Sequence, residues 1–282
     1  MALEPGQEGS YNRAMAPWCN VCGASGPFLH AGWGREGSIC SNCGAAARSR
    51  TMVYALGACL GLTTTPLASW PELKDLCALE VSGRGGYPVF LTDKLCYHSG
   101  EYPQLDLERL PCRDDELDFF LAGDVLEHVQ DDGRAFREVY RALKAGGRLL
   151  FTVPYEHHRI QTLVRVEWVD GEAQFVEPPE YHGGGGQNLA YRTYGRDLLE
   201  RLRAVGFAVV HWTLDLPEHG ISGQDVFLCA KDSQIELHTG GTGAQIAASS
   251  VPLFPLRAWA VAKYNLRALA QVAREVRGRF GW

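Results

Sequence analysis

Two Cys-x-x-Cys pairs, Cys19 with Cys22 and Cys40 with Cys43, stand seventeen residues apart near the start of the chain. Thiolates at that spacing can form two tight knuckles that close tetrahedrally on one Zn²⁺. Gly23 and Gly44 follow the pairs, where a turn that aims its amides at sulfur needs a residue free to take positive φ. With all four positions filled by protein, such a ribbon folds the chain and offers no open position for catalysis. An exchanging dithiol is the competing reading of one pair, and two matched pairs weigh against it. A second set of reactive residues lies in "PYEHHR" and "PPEYHGGGGQN": His157, His158 and His182, with Tyr155 and Tyr181 beside them. Histidine suits proton transfer near neutral pH. A second metal site built from the three histidines with Glu156 or Glu180 is the alternative, although no i, i+4 pair of histidines fixes its geometry. His128, four residues after Asp124 in "AGDVLEH", is a further candidate.

The bulk of the chain must position these groups. Its 282 residues allow one large domain and a small module, and 46% hydrophobic with 21% charged residues is a composition that buries a core. A net charge of −6 argues against a whole-surface affinity for nucleic acid. No run of about 18 apolar residues indicates a spanning helix, and the first 30 residues lack a secretory pattern. Five of the nine cysteines lie singly in apolar stretches, which suits a reducing, cytoplasmic location.

From residue 75 onward, strand-like and helix-like segments alternate. "LCALEV" leads into the glycine-rich turn "SGRGG", "LDFFLAG" precedes the helical "DDGRAFREVYRALKAGG", and "RLLFTVP" follows. Phe136, Val139, Tyr140 and Leu143 fall on one face of that helix. The alternation predicts an α/β fold: a parallel, Rossmann-like sheet with helices on both faces and a ligand beyond the carboxyl ends of the strands. An acid at the end of the second strand can accept both hydroxyls of a ribose. Asp93 and Glu101 compete for that place, and only Glu101 leaves room for a crossover, with Pro88 opening a short helix and "CYHS" as the strand. Asp106 follows at loop distance. Asp124 reads as a helix N-cap, which places His128 on the same helix face. Before the sheet, "AAARSRTMVYALGACLGL" has a helical period, with Arg48 and Arg50 at its start, where they can contact an anionic ligand or, as the favoured reading, stand in a solvated first turn.

The stretch "DELDFFLAGDVLEHVQDDGRAFREVYRALKAGGRLLFTVP" resembles the fourth strand, helix and fifth-strand entry of class I S-adenosylmethionine-dependent methyltransferases. The resemblance spans about residues 75 to 230. "EVSGRGG", "PPEYHG" and "YGRDLLERLRAVGF" are similar to a subgroup of small bacterial enzymes with an amino-terminal zinc ribbon. It implies that Glu80, Ser82 and Gly83 line the methionine moiety, that Glu101 holds the ribose, that Asp106 lies by the adenine and that Asp124 closes the pocket. Ser82 and Arg84 stand where the family's first loop often has glycine. The implied cofactors are S-adenosylmethionine and a structural Zn²⁺, and the strands "FAVVHWTL" and "QDVFLCAK" close the sheet as an antiparallel pair.

This reading divides the chain into a ribbon (1–47), a methyltransferase domain (48–232) and a tail (233–282). A hairpin insertion at about 155–190 turns at Asp170-Gly171 and lies over the site. The tail joins a small-residue linker to a basic amphipathic helix, net +5 over 252–282, that can fold back or pack in a homodimer. The leading expectation is methylation of an O, N or C nucleophile of a small-molecule metabolite or sugar derivative. One alternative is methylation of ribosomal or transfer RNA through the ribbon and basic tail. It weighs less because "GDVLEH", and not an Asn-Pro-Pro-Tyr segment, follows the fourth strand. Another is a non-catalytic binding module with a degenerate cofactor loop.

Overall fold

The computed structural model describes residues 16–26, 28–29, 37–183 and 188–232. Six strands form one sheet: β1 (Leu73–Val81), β2 (Leu95–Gly100), β3 (Leu117–Gly123), β4 (Leu143–Thr152), β11 (Ala208–Leu216) and β12 (Ile221–Ala230). Their order is β11-β12-β4-β3-β1-β2, with β2, β1, β3 and β4 parallel and β12 and β11 antiparallel. The Rossmann-like sheet and its antiparallel closing pair are as the sequence predicts. The crossover from β1 to β2 is the short helix α2 (Pro88–Lys94), which puts Glu101 just past the end of β2.

Each face of the sheet has its own core. On one side α3 (Asp132–Ala142) and α4 (Leu198–Val205) pack Phe136, Val139, Leu198 and Leu202 against Phe120, Phe151 and Phe227. The α3 helix begins at Asp132 and is capped by the Asp131 carboxylate, which accepts from the Arg134 amide. Asp124 is therefore no N-cap, and His128 shares no helix face with it: the chain makes a single 3₁₀ turn at Leu126–His128. Leu143 likewise leaves the helix and opens β4.

On the other side lies α1 (Ala47–Leu60), buried almost all round. A helix of that kind needs cover on both flanks. Sheet residues such as Leu150 and Leu228 cover one, and the cysteine module covers the other, with Cys19, Val21, Cys40 and Ala45 in the same cluster. Module and sheet thus share one core. Amides of Leu67 and Ala68 donate to the carbonyls of Asn20 and Val21, and the Trp18 amide donates to Glu218.

The first turn of α1 is not solvated. Arg50 is 0% exposed, because the guanidinium fits a cage of carbonyls. Nε donates to His219 (2.7 Å), Nη2 to Ser38 and Gly220 (both 3.0 Å), and Nη1 to Ala45. The ring of Phe28 lies 4.0 Å below. Burial pushes the Arg50 pKa down, and the nearby Cys19, Cys40 and Cys43 sulfurs oppose that shift.

The glycine-rich turn after β1 meets the same module. A Cβ on Gly86, which has φ +80°, would lie 1.9 Å from the Cys43 carbonyl oxygen. Only glycine allows that approach.

Inserted between β4 and α4 are β5 (Leu163–Val164), β6 (Val166–Val169), β7 (Glu172–Phe175), β8 (Glu180–His182), β9 (Asn188–Ala190) and β10 (Arg192–Thr193). The β6–β7 hairpin turns at Asp170 (φ 53°) and Gly171 (φ 83°), as the dipeptide predicts. Residues 184–187 of the glycine run, and the tail with its amphipathic helix and homodimer expectation, lie outside the described residues. No helix among the described residues is long and apolar enough to cross a membrane.

Two predictions follow from the shared core. Arg50→Met is expected to lower unfolding free energy by about 3–5 kcal/mol in denaturant titration, since it strips a buried cage of its donors and charge. Arg50→Lys rescues little of that, because an ammonium cannot span the planar cage. Gly86→Ala is expected to cost more than Gly171→Ala: both have positive φ, but a Cβ on Gly171 meets nothing within 4 Å. The difference in thermal midpoint isolates the backbone approach, and equal losses would remove it.

Candidate active site

Beyond the carboxyl ends of β1, β2, β3 and β4 lies a cavity of about 1030 Å³, where parallel sheets bind ligands. Ser82, Glu101, Asp106, Asp124, His128 and His182 all line it. Ser82 (φ 57°) and Asp124 (φ 53°) hold left-handed conformations at the ends of β1 and β3. Such strain in residues other than glycine persists only when surrounding contacts enforce it. The Ser82 hydroxyl donates to Glu101 (2.7 Å), and Arg84 reaches the other oxygen of that carboxylate at 3.5 Å. Asp124 donates its amide to the Thr152 carbonyl (2.9 Å) and accepts from the Thr152 hydroxyl (3.0 Å). The Asp106 carboxylate accepts from the Glu108 amide, which fixes its loop.

Arg48 also lines the cavity. It donates to the Gly123 carbonyl (2.7 Å) and lies 3.4 Å from the Asp124 carboxylate. The solvated first turn favoured from sequence thus gives way, for this arginine, to a place in the cavity wall. Its two-residue offset from Arg50 puts the pair on different sides of α1, one in the cysteine module and one in the cavity.

Two of the carried-over residues lie behind the loop. Glu80 is 1% exposed and accepts hydrogen bonds from Tyr87 and Tyr97. Burial raises its pKa above the usual carboxylate range, against the pull of those two hydroxyls. A Cβ at Gly83 would lie 2.7 Å from the Tyr97 hydroxyl. These residues back the loop, and neither is among the residues lining the large cavity.

The insertion supplies the other wall. The Tyr191 amide donates to the Glu127 carbonyl (2.8 Å), and His128 Nδ1 donates to the Leu189 carbonyl (2.9 Å). Arg192, nearly buried, donates to the carbonyls of Val129 (2.6 Å) and Gln130 (2.7 Å). These bonds join β9 and β10 to the loop after β3, and so bring His182 to Glu127. His182 Nδ1 and His128 Nε2 each lie 3.6 Å from Glu127 Oε1. On its far side His182 Nε2 donates to Glu180 (2.8 Å), which also pairs with Arg165 (2.5 Å). Glu127, and then Glu180, push the His182 pKa up to about 9. Glu127 went unassigned in the sequence; the signal available was an acid directly beside His128 in "LEH".

The remaining candidates lie apart. His157 is half-exposed and pairs with Asp225 (3.1 Å), which also binds His211 (2.9 Å). His158 is exposed near Glu156 (3.6 Å). Tyr155 packs edge-on against His157, His211 and Phe227, and Tyr181 is 50% exposed. None of these four lines the cavity.

In the cysteine module, Cys19 and Cys43 sulfurs are 3.8 Å apart, as are those of Cys22 and Cys40, and all four lie within 4.8 Å of one another. Zinc–sulfur bonds of about 2.3 Å require tetrahedron edges of about 3.8 Å. The thiols therefore fit that ion. Gly23 (φ 80°) and Gly44 (φ 74°) turn the two knuckles, their amides donating to the carbonyl oxygens of Cys19 and Cys40 rather than to sulfur. All nine cysteines are free of disulfides.

Residues 55–151 match the sequence model of a methyltransferase domain family. No curated protein sequence matches the chain. Among solved structures, the chain is similar to an S-adenosylmethionine-dependent methyltransferase from Mesorhizobium loti. Identity is 19% over 66% of this chain and 97% of that one, with a TM-score of 0.37. It is also similar to the 1,6-didemethyltoxoflavin-N1-methyltransferase of Burkholderia thailandensis, which is 19% identical over 66% of this chain and 78% of that one, with a TM-score of 0.40. The residues that match the methyltransferase domain family, 55–151, are those that build the parallel strands β1 to β4 beneath the cavity.

Proposed function

We propose that the protein transfers a methyl group to an O, N or C nucleophile of a small-molecule metabolite or sugar derivative. The observation that carries this reading is the second wall of the cavity: His182, Gly183, Asn188, Leu189 and Tyr191 of the insertion line it together with the strand ends. A cavity walled in this way suits a small acceptor better than a polynucleotide track.

S-adenosylmethionine, when bound, supplies an electrophilic methyl on sulfur, so the protein's task is chiefly alignment. On this reading Glu101 accepts the two ribose hydroxyls, and Ser82 orients that carboxylate. Asp106 reaches the adenine edge, Asp124 lies by the methionine portion, and Arg48 offers a cation to its carboxylate. Glu80 and Gly83 hold the loop from behind. The acceptor's proton is managed where Glu127, His128 and His182 converge, a role that His157 and His158 are too distant from the cavity to fill. The four cysteines would hold one structural Zn²⁺, whose thiolate charge faces buried Arg50. Free cysteines suit a reducing cytoplasm.

Calorimetric titration with S-adenosylhomocysteine should show micromolar binding. Glu101→Ala is expected to weaken it by about 10–100-fold, the worth of roughly 1.5–3 kcal/mol for hydrogen bonds to a charged group. His182→Ala should leave that affinity intact while lowering turnover on the acceptor by about 10²–10⁴. Absence of binding to folded protein would favour the non-catalytic module instead. Methylation of RNA but of no small acceptor would replace the substrate class.

For the cysteine module, a thiol-reactive mercurial should release about one zinc per chain. Because module and sheet share a core, the release should lower the thermal midpoint of the whole domain. A midpoint unchanged after full release would contradict that coupling.

A further inference from the structure

Glu127 has a side chain that is 0% exposed, and among the described residues neither of its carboxylate oxygens has a hydrogen-bond partner. A buried carboxylate without hydrogen bonds is costly. What faces it is a pair of imidazole nitrogens, each 3.6 Å from Oε1. The two rings stand nearly perpendicular, at 81°, with centroids 5.0 Å apart.

The far nitrogen of each ring is already committed. His128 Nδ1 donates to the Leu189 carbonyl and His182 Nε2 donates to the Glu180 carboxylate. That fixes both ring orientations, with His128 Nε2 and His182 Nδ1 facing Glu127: a protonated ring presents N–H to the carboxylate, and a bound cation that displaces the proton would meet the lone pair of the same nitrogen. Imidazoles braced from behind by a carbonyl and a carboxylate are how proteins orient metal-binding histidines. The ligand atoms of Glu127, His128 and His182 lie within 4.8 Å of one another. Metal bonds of about 2.0–2.2 Å place ligand atoms roughly 3.0–3.5 Å apart, so a small side-chain adjustment closes the set. All three residues also line the large cavity.

We propose that Glu127, His128 and His182 bind one divalent transition-metal ion of the borderline class that takes two imidazoles and a carboxylate, such as Zn²⁺, Co²⁺ or Fe²⁺. Three protein ligands leave positions open toward the cavity, as catalytic sites require. A hydroxylated acceptor held there would lose its proton to water more readily, because the cation favours the oxyanion. The ligand set is argued from geometry alone; only the ion's role rests on the methyl-transfer reading. The site differs from the His157, His158 and His182 grouping considered from sequence, since His157 and His158 lie outside the cavity.

The test uses full-length protein with zinc in its cysteine module, dialysed and titrated with Co²⁺. The expected result is about one further equivalent, seen as visible d–d absorption without the thiolate charge-transfer band that the cysteine cluster would give. Glu127→Gln should abolish this uptake. Glu180→Gln, which touches only the back of His182, should weaken it by about 10–100-fold. Retention of the module's zinc and of the thermal midpoint shows that each variant has folded. No Co²⁺ uptake by folded wild-type protein, or uptake unchanged in Glu127→Gln, overturns the site. S-adenosylhomocysteine titration of the same samples separates the two readings. Co²⁺ uptake without nucleoside binding leaves the ion site standing and removes the transferase reading, and the reverse pattern removes only the ion.

Discussion

A buried guanidinium that, among the described residues, has carbonyls and no carboxylate as its partners sets the geometry of this molecule. Arg50 spends its donors on carbonyls from three places: Ser38 and Ala45 of the cysteine module, His219 after β11, and Gly220 at the start of β12. A charge removed from water needs compensation, and the sulfurs of Cys19, Cys40 and Cys43 oppose the downward shift that burial gives Arg50. The cysteine cluster and the arginine share one buried region. Together they fasten the module to the antiparallel edge of the sheet and fix where α1 runs.

That position of α1 carries through to the cavity. Two residues before Arg50, Arg48 enters the cavity and ties the end of β3 through Gly123 and Asp124. The loop after β1 meets the module at Gly86, where backbone presses on the Cys43 carbonyl. The glycines of "SGRGG" thus serve a close approach between two parts of the protein. Only Ser82 and Arg84 of that turn line the cavity. This gives a physical reason for the departure from a glycine-only loop: the crowded positions are Gly83, Gly85 and Gly86, and not Ser82 or Arg84.

The opposite wall depends on a different cation. Arg192 gathers carbonyls of the segment after β3, and β9 adds its own hydrogen bonds to that segment. An insertion that is solvent-exposed along its β6–β7 hairpin becomes firm where it crosses the strand ends. Of the insertion's histidines, the one that lines the cavity is therefore His182, carried by β8 beside this clasp. The adjacent pair at 157 and 158 follows β4 toward Asp225 and the solvent.

The sequence by itself determined what depends on local spacing. Strand and helix periodicity sufficed for the parallel sheet, crossover length selected Glu101 over Asp93, Asp170-Gly171 specified its hairpin, and the Cys-x-x-Cys-Gly pattern specified two knuckles. These are short-range constraints, written within a few residues by sterics and hydrogen bonding. Only the tertiary structure decided the environment of each charge. Nothing in "AARSR" distinguishes an arginine caged by carbonyls contributed by residues 38 to 220 from one in water. Nothing in "LEH" reveals that a carboxylate will be sealed from solvent beneath a histidine fifty-five residues later. Burial and partnership of polar groups depend on which distant backbone arrives beside them, and that is settled when the layers pack.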